Sequence, residues 1–444
     1  MKLTLVQPAT GRRPGERSPH PRQLEPLRIA ILAGATPKDV RVAFFDDRME
    51  EIDFETPTEA AAIHVETHAA QRAYDIAAQF RKKGAKVLLC GPHATLAAFE
   101  AGEHADSVLV GDVEPLWAQA LDDLRHNSLQ HMYFAPEDAP LNDIRPDRGV
   151  FGNRRYLPIA LVETGRGCRH ACEFCAPSAC ARKTRRQRPP RDVVAEIRAM
   201  RRGSDLHLLV DDNFSAEPDA AQELMKELEG EGVRWISRMS LPAAMDDDFL
   251  RLMARSGCVG ALVGIESLHR DNLRAMHKKF NASILDEALA NLRRHGIAVC
   301  GSFVFGYDAD GEASFDETLQ YALRHKFHTA TFRPLTPYPG TPLFRRLEAE
   351  GKLTCSKWWL NEKRGYDEPT FRPAGIEAER LTPLCAQAQK RFYTWTNILA
   401  RAANPANVNT PFKLRKYLQA NHRYRADAET GDTYPLDAIM SHSL

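Results

Sequence analysis

No run of some 18 apolar residues occurs in this 444-residue chain, which excludes a membrane-spanning helix. The start, Met-Lys-Leu-Thr-Leu-Val-Gln-Pro, carries one charge and too short an apolar stretch for a signal-peptide core. Net charge is nearly absent as well. With 60 basic against 59 acidic residues, the balance of +1 gives no global electrostatic reason to expect nucleic acid as a partner. The sequence has no low-complexity tract and no internal repeat beyond alternating strand and helix patterns. Its nine cysteines include a single cluster, so the spacing of a secreted disulfide scaffold is missing and a reducing, cytoplasmic setting is expected. A peripheral membrane contact is the most that these absences leave open.

The one cluster is Cys168, Cys172 and Cys175, in Glu-Thr-Gly-Arg-Gly-Cys-Arg-His-Ala-Cys-Glu-Phe-Cys just after a short apolar strand. Three thiolates can hold three irons of a cubane and leave the fourth open to a ligand. Zinc is the rival, with Cys180 or His170 as a fourth ligand. Phe174 sets an aromatic ring beside the last cysteine.

The length suggests two or three domains. Over residues 1–126, Val-, Leu- and Ile-rich runs at 3–6, 40–46, 60–65, 86–90 and 107–110 alternate with helical patterns at 26–33, 70–83, 95–101 and 114–124. That alternation predicts an α/β, doubly wound, Rossmann-like parallel sheet. The strand ends there carry Glu66-Thr67, Gly91, His93, Thr95 and Gly111, small or hydroxyl residues that let a backbone approach a polar cofactor tail. Residues 127–155 are polar and irregular and read as a linker. Residues 156–336 repeat strand and helix six times, fitting a partial (β/α)6 TIM-like barrel whose chemistry collects at the carboxyl ends of the strands. Residues 337–444 form a mainly helical, aromatic C-terminal extension, either a cap that brings Tyr338 to a substrate pocket or helices packed on the outside.

Three strand ends carry polar residues. Asp211, Asp212 and Asn213 end the second barrel strand, where adjacent acids can accept hydrogen bonds from an ammonium group or cap a turn. Glu266 and Ser267, after Gly264 on the fourth strand, offer acceptors and a hydroxyl, or the start of a helix. The fifth strand's aromatic residues read as core. The run Arg182 to Arg191 reads mostly as a solvated face, with Arg188 its best candidate for a role.

The cysteine spacing with its aromatic resembles that of the radical S-adenosylmethionine (SAM) superfamily. The stretches Ala-Phe-Phe-Asp-Asp-Arg-Met-Glu-Glu-Ile-Asp, Gly-Pro-His-Ala-Thr and Val-Gly-Asp-Val-Glu resemble the cobalamin-binding domain fused to many of those enzymes. The resemblance implies three cofactors: a [4Fe-4S] cluster on the cysteine triad, SAM, and cobalamin. For SAM it implies contacts from Phe174, Asp211, Asp212, Asn213, Glu266 and Ser267, with Arg188 and Arg238 for the carboxylate. For cobalamin it implies Glu66, Thr67, Gly91, His93, Thr95 and Gly111. The Asp-x-His-x-x-Gly signature of other cobalamin proteins is absent, so the cobalt lower ligand is open among His64, His68 and His93. The implied activity is methylation of an unactivated carbon in a small-molecule, lipid or natural-product substrate, with an electron donor such as flavodoxin or ferredoxin. Oxidative cyclisation or rearrangement with the same cofactors, and a non-catalytic metal-binding protein, are the alternatives.

Overall fold

The computed structural model describes residues 1–10, 23–180, 185–200, 204–278, 282–361 and 369–430. The part of the basic run at 182–184 lies outside them.

Six parallel strands form the first sheet: β1 (Lys2–Gln7), β2 (Arg41–Asp46), β3 (Ala60–His64), β4 (Lys86–Cys90), β5 (Ser107–Val110) and β6 (Met132–Phe134), in the order β2-β1-β3-β4-β5-β6. Side chains alternate across the strands. Leu3, Leu5, Ala60, Ala62, Leu88 and Leu109 meet the helices Leu27–Ala35 and Glu114–Arg125 on one face. Val6, Ala61, Ile63, Val87, Leu89 and Val108 meet the helix Ala70–Lys82 on the other, so the sheet is doubly wound as expected. The expected helix at 95–101 divides into Pro92–Leu96 and Ala98–His104. The segment expected as linker is corrected at 132–134. Met132, Tyr133 and Phe134 pair with Val108, Leu109 and Val110, and three residues among polar neighbours are too few to show a strand period.

The second sheet is parallel throughout: β7 (Ile159–Glu163), β8 (Leu206–Val210), β9 (Trp235–Met239), β10 (Cys258–Glu266), β11 (Ala298–Phe305) and β12 (Thr329–Pro334), in sequential order from β7 at one edge to β12 at the other. Phe303, Phe305 and Phe332 point outward into the helical layer, the core role expected of the fifth strand's aromatics. Leu161, Leu208 and Leu262 cluster with Leu27 and Ile31 of the first domain's helix and with Leu141 and Ile144. The first domain and the 141–144 segment thereby supply part of the barrel's own apolar filling.

The C-terminal extension goes to two places. Trp358 and Trp359 join the first domain's core together with Tyr338 and Phe344. The Trp359 indole donates to Glu100 (2.7 Å), which also meets Lys357 (3.1 Å) and His93 (3.3 Å). Burial pushes the Glu100 carboxyl up, but His93, Trp359 and Lys357 together pull it down to about 2. The later helices run to the opposite end of the barrel. Buried Arg401 donates to the carbonyls of Phe327 (2.9 Å) and His328 (2.8 Å), just before β12, and to Asn421 (2.7 Å). Arg415 reaches Asp205, just before β8. The expected helix over 381–402 breaks at Tyr393, and Thr394 caps a new helix from Trp395. The extension is therefore divided: Tyr338, Phe344, Trp358 and Trp359 pack on the first domain, and the later helices pack at the other end of the barrel.

Candidate active site

A cavity of about 240 Å3 opens at the carboxyl ends of β8 to β12. Cys168, Cys172, Phe174 and Cys175 line it together with Asp212, Asn213, Arg238, Glu266 and Tyr338. Among the described residues no three His, Cys, Asp or Glu side chains are gathered closely enough to hold a single metal ion. The three thiols are instead set around one cavity wall, which suits a cubane that takes one sulfur per iron rather than one zinc. Burial raises all three thiols, Cys175 to about 12, so loading a cluster must displace protons. Asn213 donates to the Cys168 sulfur at 3.8 Å. Cys180 lines a different cavity and is not a fourth ligand of the set, whereas His170 does line the first.

The β8 acids divide. Asp212 faces the cavity and accepts the Gly167 N–H at 2.6 Å, from the loop that enters the cysteines. Burial first, and then the charge of Asp211, raise its carboxyl to about 6. Asp211 is turned away, bonded to Thr164 (2.9 Å), Arg185 (2.6 Å) and the Asn213 N–H (3.0 Å). Glu266 lines the cavity from a left-handed conformation (φ 67°), at an irregularity in the β10–β11 register. Such strain in a non-glycine residue persists only where the surroundings impose it. Lys278, which nothing in the local sequence singles out, pairs with Glu266 at 3.0 Å and with the Gly264 carbonyl at 3.1 Å. Burial opposes its charge, yet the ammonium is raised overall, with Glu266 the largest support and Cys172 next. Tyr338 is buried, its hydroxyl 3.2 Å from His68. His68 is the one residue of the first domain that lines this cavity.

Several expected ligands sit elsewhere. Ser267 lies outside the cavity, ahead of the helix Arg270–Ala275, accepting from the His269 N–H (3.1 Å) and Asn272 (3.3 Å). Arg188 is buried as a brace to the Glu163 and Ile144 carbonyls and to Glu196. Arg185 and Arg186 are likewise mostly buried, paired with Asp211 and Asp112, so the solvated-face reading fails for these two. Their partners lie far away in sequence, where no local pattern can show them.

A second cavity, about 400 Å3, opens at the carboxyl ends of β3 to β6. Gly91, Thr95 and Gly111 line it as expected, and the Thr95 hydroxyl accepts the Gly111 N–H at 3.0 Å. Gly91 has φ 101°, and a Cβ there would stand 3.0 Å from the His64 ring, so only glycine fits without displacement. His64 also lines this cavity. Its buried Nδ1 has no partner, and burial, then Arg28 and Arg48, lower its pKa to about 3. A neutral imidazole with its Cδ2–Nε2 edge beside Gly91, together with two glycines and a threonine, fits a large polar cofactor. His93 does not face this space, since its ring bonds Tyr74 (3.1 Å) and Glu100. Glu66 and Thr67 are corrected too, because the chain turns at once into the short helix Thr67–Ala69 and their side chains fall outside the cavity.

One short helix, Ala176–Cys180, follows directly on Cys175 and separates the two spaces: Ala176 to Ser178 line the first, Ala179 and Cys180 the second. Arg166, two residues before Cys168, ties the two domains at the same place. It contacts Glu163 (2.8 Å), Glu114 (2.6 Å) and Asp112 (3.0 Å) while 4% exposed. Arg166→Met leaves Glu163 and Glu114 partly buried without this cation and is expected to cost roughly 3–5 kcal/mol. Denaturant titration would read the loss, and adding Glu163→Gln should recover part of it.

Residues 162–322 match the model of the radical SAM superfamily. That stretch of the chain is a radical SAM domain. The chain is 29% identical over 389 residues to a bacteriochlorophyllide d C-12(1)-methyltransferase of Chlorobaculum tepidum, covering 85% of this chain and 84% of that one. It is 25% identical over 425 residues to the bacteriochlorophyllide d C-8(2)-methyltransferase of the same organism, covering 89% and 92%. Its fold matches that of TsrM, a radical SAM methyltransferase of Kitasatospora setae solved with cobalamin and a [4Fe-4S] cluster. There the TM-score is 0.69 at 13% identity, over 98% of this chain and 100% of the other. The agreement over both sheets makes the radical SAM barrel and its preceding Rossmann-like domain one architecture.

Proposed function

We propose that this protein is a cobalamin-dependent radical SAM enzyme that methylates an unactivated carbon of a large apolar substrate, a chlorin-type macrocycle by analogy with its relatives. The observation that carries the reading is the pair of cavities on either side of Ala176–Cys180. The cysteine triad and an acid–base set line one, while the glycine-lined sheet ends line the other. When bound, the cluster and SAM supply a 5′-deoxyadenosyl radical and cobalamin carries the methyl group.

The chain's own residues bind, orient and exclude water. Asp212 and Glu266 accept the ammonium of SAM, and Lys278 and Arg238 serve its carboxylate. Phe174, His68 and Tyr338 wall the cavity from solvent, which protects reactive species and strengthens each polar contact. In the second cavity Gly91, Thr95 and Gly111 admit the cofactor tail. Of the three histidines weighed as cobalt ligands, His64 is the one that faces this space. An external one-electron donor such as flavodoxin or ferredoxin completes the cycle. No helix among the described residues is long and apolar enough to cross a membrane, and we place the enzyme in the cytoplasm.

The test is anaerobic turnover of the reconstituted protein with bacteriochlorophyllide d and SAM labelled in its methyl group. Labelled methyl in the product together with 5′-deoxyadenosine is expected. If 5′-deoxyadenosine forms but the label never enters the product, the enzyme is a cyclase or mutase instead. If neither appears although four irons and a cobalamin are bound, the substrate assignment falls.

A further inference from the structure

Glu173 stands between Cys172 and Cys175 in the chain, yet its side chain has different surroundings from theirs. Cys172, Phe174 and Cys175 line the barrel cavity, and Glu173 does not. It is turned to the back of the loop, where it is 6% exposed. A carboxylate buried to that extent is costly to keep unless a cation and hydrogen bonds answer it.

The cation comes from far along the chain. Arg346 donates to one carboxylate oxygen of Glu173 through Nη2 (2.8 Å) and to the other through Nε (3.3 Å), a two-point ion pair. Arg346 lies on the helix Pro342–Ala349 of the C-terminal extension, and several contacts fix where that helix sits. The Leu343 N–H bonds the Glu173 carbonyl at 2.9 Å. Leu343 and Leu347 enter the barrel core, and Phe344 enters the core of the first domain. At the helix start, buried Thr341 donates to the Tyr338 carbonyl (2.7 Å) and accepts the Phe344 N–H (3.2 Å). The second acid near Arg346 is Glu350 at 3.5 Å, which is itself held by Lys352 at 2.8 Å. Packing on two cores therefore sets the position of the guanidinium behind the cysteine loop.

Reduction adds an electron to a centre already made anionic by its thiolates. A fixed negative charge beside the loop opposes that step, and a fixed positive charge favours it. We propose that Glu173 and Arg346 are positioning residues for the [4Fe-4S] cluster, with Arg346 balancing the carboxylate carried behind the cysteine loop so that the pair sets both the loop's shape and the reduction potential. The inference rests on the cluster assignment above and deepens it. It makes the C-terminal extension part of the cluster site, because the balancing charge is supplied from residue 346. Both side chains stand outside the cavity, so neither is placed to touch SAM or substrate.

The experiment compares the full-length, anaerobically reconstituted holoenzyme with its Glu173→Gln, Arg346→Gln and double variants, without SAM or substrate. Iron and sulfide are counted first. The midpoint potential is then read by redox titration from the electron paramagnetic resonance signal of the reduced cluster. Glu173→Gln removes a negative charge and keeps Arg346, so its potential should rise. Arg346→Gln leaves the buried carboxylate without this partner, so its potential should fall. The double variant should return toward the wild type, and Arg346→Lys, which keeps the charge, should shift less than Arg346→Gln. If Arg346→Gln does not hold its iron, the double variant is expected to recover it, because no lone charge is then buried. A pair with a structural role alone would lose iron or stability with no displacement of opposite sign. Single variants that keep their iron at the wild-type potential, or that move it in the same direction, overturn the proposal, as does a double variant that fails to recover iron lost in Arg346→Gln. A wild type that takes up no iron–sulfur cluster removes the cluster assignment and the proposal together.

Discussion

Replacing Cys172 by alanine is expected to remove the cluster as a unit and reduce SAM cleavage to the uncatalysed background. Each of three irons takes one cysteine sulfur, so a missing sulfur leaves an iron open to solvent and the cubane falls apart. The structural cost should be small. Cys172 sits in a loop, only partly buried, and the loop is held by contacts away from its thiol, among them the Gly167 N–H on Asp212 and Arg346 on Glu173. Iron and sulfide analysis after anaerobic reconstitution, with circular dichroism as control, checks the prediction. A variant that keeps near-stoichiometric iron or that binds one tightly held zinc would overturn the cluster assignment.

Asp212→Asn is expected to do two things of opposite sign. The carboxyl of Asp212 is raised from 3.8 to about 6 by burial and by Asp211. Only its ionised form attracts the SAM ammonium. In the wild type, SAM affinity should therefore improve roughly tenfold between pH 5 and pH 7 as that carboxyl ionises. The amide variant should bind SAM weakly at every pH and show no such rise.

Stability moves the other way. The unfolded carboxyl loses its proton near 3.8 while the folded one holds it to about 6, so folding is progressively penalised as pH rises between those values, and the penalty is complete above about 6. Asparagine can still accept the Gly167 N–H but carries no charge to bury. The variant should be more stable at pH 8 by up to roughly 3 kcal/mol, and about equal to the wild type below pH 4. Denaturant melts of the cofactor-free chain at those two pH values, with SAM titrations of the holoenzyme, separate a binding role from a structural one. If the variant is less stable at pH 8 and binds SAM as before, Asp212 is merely part of the fold.

The residues that sequence reading placed wrongly share one feature. Asp211, Arg185, Arg186, Arg188 and Ser267 were legible as polar groups at strand ends or in a charge run, but which way each turns depends on partners remote in sequence. Asp211 is satisfied by Thr164 and Arg185, so Asp212 is left to face the cavity. His64 and His93 are alike by residue type. Tyr74 and Glu100 hold the Nε2 of His93 outside the second cavity, whereas the His64 ring lines that cavity with its Cδ2–Nε2 edge beside Gly91. Lys278 gave no sequence signal because a loop past a short helix brings it back to Glu266.

The sequence by itself determined the cysteine triad, the two parallel α/β units and the glycines at the sheet ends. Those features rest on local spacing, a period of two or 3.6 residues, and backbone angles that glycine alone adopts freely. Only the tertiary structure decided that the extension splits between the first domain and the far end of the barrel, that Ala176–Cys180 separates the two cavities, and that Arg166 joins the domains beside the triad. Burial and charge pairing decide these, and both depend on groups that folding brings together from distant parts of the chain.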